Sequence, residues 1–417
     1  MSEWRRRRLD WLMNEERRVI DPTALASDLV FHYSIPALDE VGDGMLEPPE
    51  TIGSGKLLLQ GGEVLISKLN PRLPRVLLAA AHNVPTLAST EFIALRPGPA
   101  VDERFMRHWL GSEPVRQMLN GATVSVTRSQ QRVRPDILTK SWLDVPPLAV
   151  QRAIADYLDV ETARIDALIE KKRRMVELLE ERLEAMIFGA VTQGCAGPRP
   201  MKKSGLSWVE RIPADWGTPT VSVNFDLQLG KMLNAEASSG EEQYPYVRNV
   251  NVQWDRIVLD DLATMHFSAA ERRRCDLRDG DLLVCEGGEV GRAAVWTGQL
   301  SPCFYQKAIH RLRPRRGDLS RYLMYCLRAA AKRSVFVTEG NLSTISHLTG
   351  EQLRVQRFPW PPVEEQQEIV HYLGKAGERC TTALTSLGAQ LSLLTERRQA
   401  LITAAVTGEL AIPGVAA

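Results

Sequence analysis

Nine side chains, in two separate stretches of the chain, have the forked or planar hydrogen-bonding groups that distinguish the edges of nucleic-acid bases. Arginine and lysine match guanine, whereas asparagine and glutamine match adenine. If the ligand is double-stranded DNA, we expect these residues to contact bases from loops; for any one of them, an ordinary solvated surface is the alternative. They are Lys68, Asn70 and Arg72 in the first stretch, and Arg248, Asn249, Asn251, Arg292, Gln306 and Lys307 in the second.

No arrangement of residues predicts catalysis. The sequence has no phosphate-binding GxxxxGK[ST] pattern. Asn70-Pro71-Arg72-Leu73 begins like an adenine-methyltransferase motif but lacks its second proline and its aromatic residue. The glycines of residues 287–291 indicate a turn, and the seven histidines and six cysteines show no metal-ligand or triad spacing. We therefore predict no catalytic residue, no metal and no cofactor.

Composition indicates a soluble globular protein. The chain has 417 residues, 44% of them hydrophobic, and a net charge of +1, which allows about two to four domains. It contains neither a membrane-length apolar run nor a secretory signal. We expect reduced cysteines, no membrane and a cytoplasmic location.

Basic residues concentrate in four clusters that lie outside the repeat described below. They predict contacts with phosphates if a polyanion binds, and solvated faces otherwise. The clusters are Lys68, Arg72 and Arg75; Arg128, Arg132 and Arg134; Arg272, Arg273 and Arg274; and Arg311, Arg313, Arg315 and Arg316.

About 45 residues occur twice, 215 positions apart and without a gap. The first copy begins at Pro146-Pro147 and ends at Ala190-Val191-Thr192; the second begins at Pro361-Pro362 and ends at Ala405-Val406-Thr407. Such a repeat predicts a duplicated architecture with a pseudo-twofold axis.

Each copy reads as a long helix. Residues 148–184 contain neither glycine nor proline and would form a helix of about 55 Å. Apolar residues recur at steps of three, four and seven, so each helix has a narrow apolar stripe that it cannot bury alone. We expect the two helices to pack on each other; the alternative is that each packs on its own globular domain.

The stretches before and between the two helices have a different residue pattern, in which short apolar runs are separated by Gly, Pro, Asn and Asp. Strands are predicted at residues 56–59, 64–66, 92–95, 256–259, 281–285 and 293–296, and shorter helices at 101–110 and 320–335. The predicted fold is therefore α+β, with two globular domains alternating with two long helices that pack as an antiparallel coiled coil.

This layout resembles the specificity (S) subunit of type I restriction–modification systems over nearly the whole chain. The stretch from Pro146-Pro147 through Gln151 to Ile169 resembles the central conserved region of that family, and residues 361–373 resemble its distal one. Residues 66–72 with 89–92, and residues 244–251 with 286–292, look like target-recognition patterns. Residues 205–216 resemble the usual start of such a domain.

The sequence departs from the family pattern in three respects. The segment after Glu286-Gly287-Gly288 is short, and the first domain lacks the Ile-Pro-x-x-Trp start that the second has at residues 212–216. The two globular domains also share little sequence, which suits a family in which each domain reads its own half-site.

The resemblance implies an adaptor without catalytic activity. Target-recognition domains at residues 1–145 and 195–356 would read a bipartite DNA target, and helical spacer regions at 146–194 and 357–412 would set the distance between its halves. Two adenine methyltransferase (modification) subunits would dock on the helices, and restriction subunits are a further partner that the family allows. The rival hypotheses are a self-contained methyltransferase or nuclease, and a coiled-coil scaffold with two domains that do not bind DNA.

Overall fold

The computed structural model describes residues 4–73, 75–123, 131–233, 242–336 and 347–413. The chain packs into two units. Unit 1 contains Met1–Arg173 and Gly388–Ala417, and unit 2 contains Arg174–Leu387. Each unit therefore holds one globular domain together with part of each long helix, whereas the sequence predicts the helices as separate regions.

The strands of unit 1 form three antiparallel or mixed sheets, with orders β1-β11, β2-β10-β7-β8 and β3-β6-β9-β4-β5. Their bounds are β1 Arg5–Arg8, β2 Met13–Glu16, β3 Val19–Ile20, β4 Val30–Tyr33, β5 Met45–Glu47, β6 Lys56–Leu59, β7 Val64–Ser67, β8 Val76–Leu78, β9 Thr86–Ser89, β10 Phe92–Pro97 and β11 Trp142–Val145. The predicted strands at 56–59, 64–66 and 92–95 are confirmed. All four side chains of β7 are buried, as its continuous apolar run indicates.

The helices of unit 1 are α1 Ile35–Val41, α2 Glu103–Leu110, α3 Glu113–Gly121, α4 Pro135–Thr139 and the first part of α5 Leu148–Gln193. The Asp102 carboxylate caps α2 by accepting hydrogen bonds from the backbone N–H groups of Arg104 and Phe105. Helix α2 packs its apolar face with the β2-β10-β7-β8 sheet and with the two long helices in one core.

Unit 2 has four sheets, with orders β12-β13, β14-β22-β19-β20, β18-β15-β21 and β16-β17. The strands are β12 Met201–Leu206, β13 Val209–Pro213, β14 Phe225–Leu229, β15 Gln243–Val247, β16 Val252–Gln253, β17 Arg256–Ile257, β18 Ala263–His266, β19 Leu282–Cys285, β20 Ala293–Val295, β21 Phe304–Tyr305 and β22 Ile309–Pro314. The helices are α6 Val221–Asn224, α7 Ala269–Arg274, α8 Ser320–Ala331, α9 Gly350–Val355 and α10 Val363–Val406, the last shared with unit 1.

Both long helices are confirmed, with 46 residues in α5 and 44 in α10. They run antiparallel within each unit. In unit 1, Asp166 accepts hydrogen bonds of 2.8 and 3.1 Å from Arg398, and Lys172 donates one of 2.5 Å to Gln390. In unit 2, the Cys380 thiol lies 3.8 Å from the Leu179 carbonyl.

The globular domains also repeat a common strand arrangement, although their sequences share little similarity. Sheets β2-β10-β7-β8 and β14-β22-β19-β20 have the same strand order and pairing. The Ser67 N–H donates to the Arg75 carbonyl at 3.1 Å, and at the same place in unit 2 the Cys285 N–H donates to the Arg292 carbonyl at 2.8 Å. The two domains are therefore variants of one frame.

Candidate nucleic-acid interface

The loop after β7 in unit 1 contains the three residues predicted to read bases. Backbone hydrogen bonds fix it: the Lys68 N–H donates to Glu91 at 2.8 Å, the Asn70 N–H donates to Gln131 at 2.8 Å, and the Lys68 carbonyl accepts from Val133. Asn70 has a left-handed φ of 50°, a conformation that asparagine tolerates better than most residues. The loop is thus a fixed platform.

The side chains of this loop differ in their freedom. Arg72 is exposed, and no carboxylate of the described residues lies within ion-pair distance of it. Its basic neighbours are compensated: Arg75 makes a bidentate pair with Asp39, and Arg132 makes one with Glu91. Arg72 is therefore an arginine of this loop whose guanidinium has no ion-pair partner among the described residues and can bind a ligand.

In unit 2, three of the predicted readers form one turn that follows β15. The Arg248 guanidinium contacts the Asp261 carboxylate at 2.7 Å. Asn251 is 3% exposed, and its amide is fully used, since it accepts from the Arg248 N–H and donates to the carbonyls of Val258 and Asp261. Asn251 shapes the turn from inside.

Asn249 and Arg292 join this turn to the loop after β19. The Asn249 amide donates to the Gly287 carbonyl at 2.9 Å, and its oxygen accepts from Arg292 at 2.8 Å. Glu289 is 3.8 Å from Arg292. The neutral amide of Asn249 thus orients the Arg292 guanidinium. At the corresponding position in unit 1, the Arg75 guanidinium is held by the carboxylate of Asp39.

Gln306 and Lys307 complete the cluster. The Gln306 N–H donates to Val247 at 3.2 Å, next to Arg248, and the Lys307 N–H donates to the Lys231 carbonyl at 2.6 Å. A Cβ on Gly230 would lie 2.3 Å from the Gln306 carbonyl, so the close approach of these two backbones requires glycine. The Lys307 side chain is exposed.

The basic clusters divide into exposed and internal arginines. Arg311 is 5% exposed and pairs with Asp226 and Asp276, and Arg313 makes a bidentate pair with the buried Asp281. Arg272 and Arg315 are also paired, with Glu242 and Asp226. Arg132, Arg134 and Arg315 are exposed although each is paired with a carboxylate. Arg72, Arg273, Arg274 and Arg316 are exposed and have no carboxylate partner among the described residues, and Arg128 lies outside those residues.

Burial keeps the nearby thiol uncharged. It raises the pKa of the Cys285 thiol to about 11, despite the neighbouring Arg292, so this cysteine is not a nucleophile at neutral pH.

Within the described ranges, no three His, Cys, Asp or Glu side chains are grouped to hold a metal ion. None of the helices in those ranges is long and apolar enough to span a membrane.

The repeated glutamines are structural residues whose role the sequence does not disclose. Gln151 is fully buried and accepts from the Asp102 N–H at the start of α2, while its amide donates to the carbonyls of Ala100 and Pro146. Gln366 makes the equivalent bonds at the start of α8: its oxygen accepts from the Leu319 N–H, and its amide donates to the Pro361 carbonyl. Each anchors the first turn of a long helix to a globular domain.

Residues 213–392 match the model of the type I restriction modification DNA specificity domain. The chain belongs to the specificity-subunit family of type I restriction–modification systems. This specificity subunit is 23% identical over 326 residues to the EcoKI specificity subunit of Escherichia coli K12, covering 76% of this chain and 67% of that protein.

Other relatives agree. The EcoBI specificity subunit of Escherichia coli is 22% identical over 317 residues, covering 74% of this chain and 66% of that one. The specificity subunit described here thus spans about two thirds of the length of these curated relatives.

Solved structures share the fold. A chain from a structure described as the basis of complex assembly and conformational transition of the type I R-M system superposes with a TM-score of 0.74 and 19% identity, covering 98% of this chain and 99% of that one. The HsdS subunit from Thermoanaerobacter tengcongensis gives a TM-score of 0.52 and 18% identity, with 98% of each chain covered. The predicted family and fold class are confirmed.

Proposed function

We propose that this specificity subunit binds double-stranded DNA and that each globular domain reads one part of a bipartite target. The observation that carries the proposal is the shared frame with unlike loops. Lys68 and Glu286 start the loops after β7 and β19, and each donates its N–H to the corresponding carbonyl, of Glu91 and Ala308. Two domains with the same strand arrangement but different loop side chains are suited to recognise two different DNA sequences.

Within each domain, reading and support fall to different residues. Arg72 and Lys307 are exposed, and Arg292 is oriented by Asn249, so these three contact bases or phosphates directly. Lys68, Asn70, Arg248, Asn249 and Gln306 line the same two loop clusters and contribute according to the target. Asn251 acts by holding the turn, since its amide is already satisfied.

Methylation comes from partner subunits, since Asn70-Pro71-Arg72-Leu73 lacks the second proline and the aromatic residue of the adenine-methyltransferase motif. Adenine methyltransferase subunits dock on the long helices, restriction subunits join that complex, and the helices set the spacer between the half-sites. Exposed apolar side chains along both helices support a docking role. They are Val160, Leu168, Met175, Leu178, Tyr372 and Leu393.

Co-expression with the adenine methyltransferase of the same system, followed by methylome sequencing, tests the proposal. We expect a single bipartite motif. Arg292→Ala should relax one half of that motif and Arg72→Ala the other, each by about 1 to 3 kcal/mol of discrimination, or roughly 5- to 150-fold. Arg211→Ala, at an exposed position of β13 outside both loop clusters, should leave both halves unchanged.

The alternative is a scaffold whose two domains bind something other than DNA. It predicts a complex with the methyltransferase that methylates no defined motif, and whose DNA affinity is the same for Arg72→Ala, Arg292→Ala and wild type.

A further inference from the structure

Lys231 is a lysine of unit 2 whose ammonium group lies inside the protein. The residue is 7% exposed. Its Nζ donates hydrogen bonds to the Glu271 carboxylate at 2.6 Å and to the His266 carbonyl at 2.8 Å. The same Nζ lies 5.3 Å from the centroid of the Phe267 ring. Because a buried ammonium is costly unless it is paired, these contacts fix the Lys231 side chain in one place.

Glu271, the partner of Lys231, belongs to the first turn of helix α7. Its carboxylate accepts a hydrogen bond from the Ser268 N–H, and the Ser268 hydroxyl accepts one from the Glu271 N–H, which is a capping box. The same helix presents Arg273 and Arg274, which are exposed. The ion pair therefore holds the start of the helix that carries these two arginines.

The backbone of Lys231 contacts a different segment, the loop between β21 and β22. The Lys231 N–H donates to the Tyr305 carbonyl at 3.1 Å, and the Lys231 carbonyl accepts from the Lys307 N–H at 2.6 Å. Gln306 and Lys307, two of the residues expected to contact bases, lie in this loop. Lys231 thus joins α7 to the loop, because its backbone contacts the loop and its side chain contacts the helix.

The loop itself is held from two further sides. The Gln306 N–H donates to the Val247 carbonyl at 3.2 Å, and the Ala308 carbonyl accepts from the Glu286 N–H at 2.9 Å. Ala308 has a φ of 101°, a conformation that a residue with a side chain keeps only where its surroundings enforce it. The loop is therefore a rigid reference against which α7 is placed.

Unit 1 has no lysine at the corresponding position. Glu16 of β2 corresponds to Gln228 of β14, because each pairs with the same position of the next strand. Three residues further along, unit 2 has Lys231 and unit 1 has Val19, which is 54% exposed. A valine cannot form the ion pair, so this link is specific to unit 2 and unit 1 serves as an internal control.

We propose that Lys231 is a positioning residue for DNA recognition by unit 2. It holds α7 so that Arg273 and Arg274 contact phosphates of the half-site whose bases the loop of Gln306 and Lys307 contacts. Phosphate contacts set the register of a protein on the duplex, and base contacts then report the sequence. Without Lys231, α7 is no longer fixed to the loop, so the phosphate contacts weaken and the loop can contact bases in more than one register. The inference rests on the proposed function, since it requires that unit 2 binds DNA.

The dependence of DNA affinity on salt tests this role, with the methyltransferase complex titrated onto its bipartite target at several salt concentrations. The double variant Arg273→Gln, Arg274→Gln should reduce the slope of log affinity against log salt by about 1.8, at about 0.9 per phosphate. Lys231→Met should reduce the slope by about 0.9 or more, although Lys231 is buried and cannot itself contact a phosphate. Added to the double arginine variant, Lys231→Met should change the slope no further. A lysine that only stabilised the fold would change the fraction of active protein equally at every salt concentration, and would leave the slope unchanged.

A variant of the partner residue keeps the test valid if Lys231→Met does not fold. Glu271→Gln removes the charge of the partner but keeps the capping box, in which glutamine also serves. It should reduce the slope as well, although the loss of a negative charge alone would strengthen attraction to DNA. Lys203→Met alters an exposed lysine of β12 and should keep the wild-type slope, which controls for the loss of one positive charge.

Methylome sequencing of the same complexes gives the second readout. Lys231→Met should relax, by about fivefold or more, the half of the motif that Arg292→Ala relaxes, and should leave the other half unchanged. The proposal is overturned by an unchanged slope in the lysine variant or in the double arginine variant, by an unchanged motif, or by equal relaxation of both halves; Glu271→Gln is judged by the same outcomes. Failure of the proposed function is a different result, because the wild-type complex would then methylate no bipartite motif.

Discussion

Replacing Gln366 by leucine tests whether the repeated glutamines fasten the long helices to the globular domains. Gln366 is fully buried, and its amide makes three hydrogen bonds, to the Leu319 N–H, the Pro361 carbonyl and the Asp318 carboxylate, at 3.1, 3.1 and 3.2 Å. Leucine has nearly the same volume, so the substitution removes these bonds without leaving a large cavity.

The magnitude follows from the groups that lose their partner. The N–H of Leu319 and the carbonyl of Pro361 would each be stranded at about 1 to 3 kcal/mol. Asp318 keeps its bond from the Trp360 indole. Allowing for the apolar surface that leucine buries, we expect unit 2 to lose about 3 to 4 kcal/mol of unfolding free energy.

Urea unfolding of the full chain, with hydrogen exchange resolved by peptide, measures this loss. Protection should fall in β22 and α8, and stay unchanged in α2 of unit 1. Gln367→Leu alters the exposed neighbour on the same helix and should cost less than about 0.5 kcal/mol. Gln151→Leu should produce the mirror result in unit 1. A loss below about 1 kcal/mol for Gln366→Leu, or an equal loss for Gln367→Leu, would refute the anchoring role.

Three further predictions concern charges. Burial, together with Arg107, lowers the pKa of His108 to about 4; the nearby Asp159 would oppose this but is already paired with Arg107. Because the folded pKa lies below the unfolded value of about 6.5, stability present above pH 6.5 is lost as the pH falls towards 4, by about 2 kcal/mol between pH 7 and 5. Unfolding titrations of His108→Gln should lack this loss, and an unchanged pH profile would contradict it. Arg313→Ala removes the bidentate cationic partner of the Asp281 carboxylate, which is 1% exposed and keeps a hydrogen bond from the backbone N–H of Arg278. It should destabilise the protein by about 3 to 5 kcal/mol, against less than about 0.5 kcal/mol for the exposed Arg316→Ala in the same urea assay. Arg273→Gln should reduce the slope of log DNA affinity against log salt by about 0.9 if this arginine neutralises a phosphate, and an unchanged slope would remove it from the interface.

The sequence predicts the long helices and the family because those signals are local. Residues 148–184 lack helix breakers, and the 215-residue register holds from Pro146 to Thr192. The strands at 56–59 and 64–67 follow from short apolar runs, for the same reason. The helix continues beyond Glu184 to Gln193, because Gly189 within the last turns is offset by burial of Ile187, Ala190 and Val191.

Long-range pairing explains what sequence reasoning missed. Arg311 and Arg313 belong to an arginine-rich stretch that indicates a surface. Their partners, however, are Asp226 on β14 and Asp276 and Asp281 in the segment before β19, which are distant in sequence. The repeat within the globular domains is hidden because strand pairing needs only apolar alternation, not particular residues. Base contacts stay predictions for all nine candidate residues, since loop geometry and DNA shape decide which side chain reaches a base.

Exchange of the second domain tests the central claim most directly. Residues 201–356 would be replaced by the matching domain of a specificity subunit with a different target, and the complex with the methyltransferase would be analysed by methylome sequencing. We predict a hybrid motif in which one half changes, while the other half and the spacer length are retained. An unchanged motif, or a change in both halves, would contradict the assignment of one half-site to each domain.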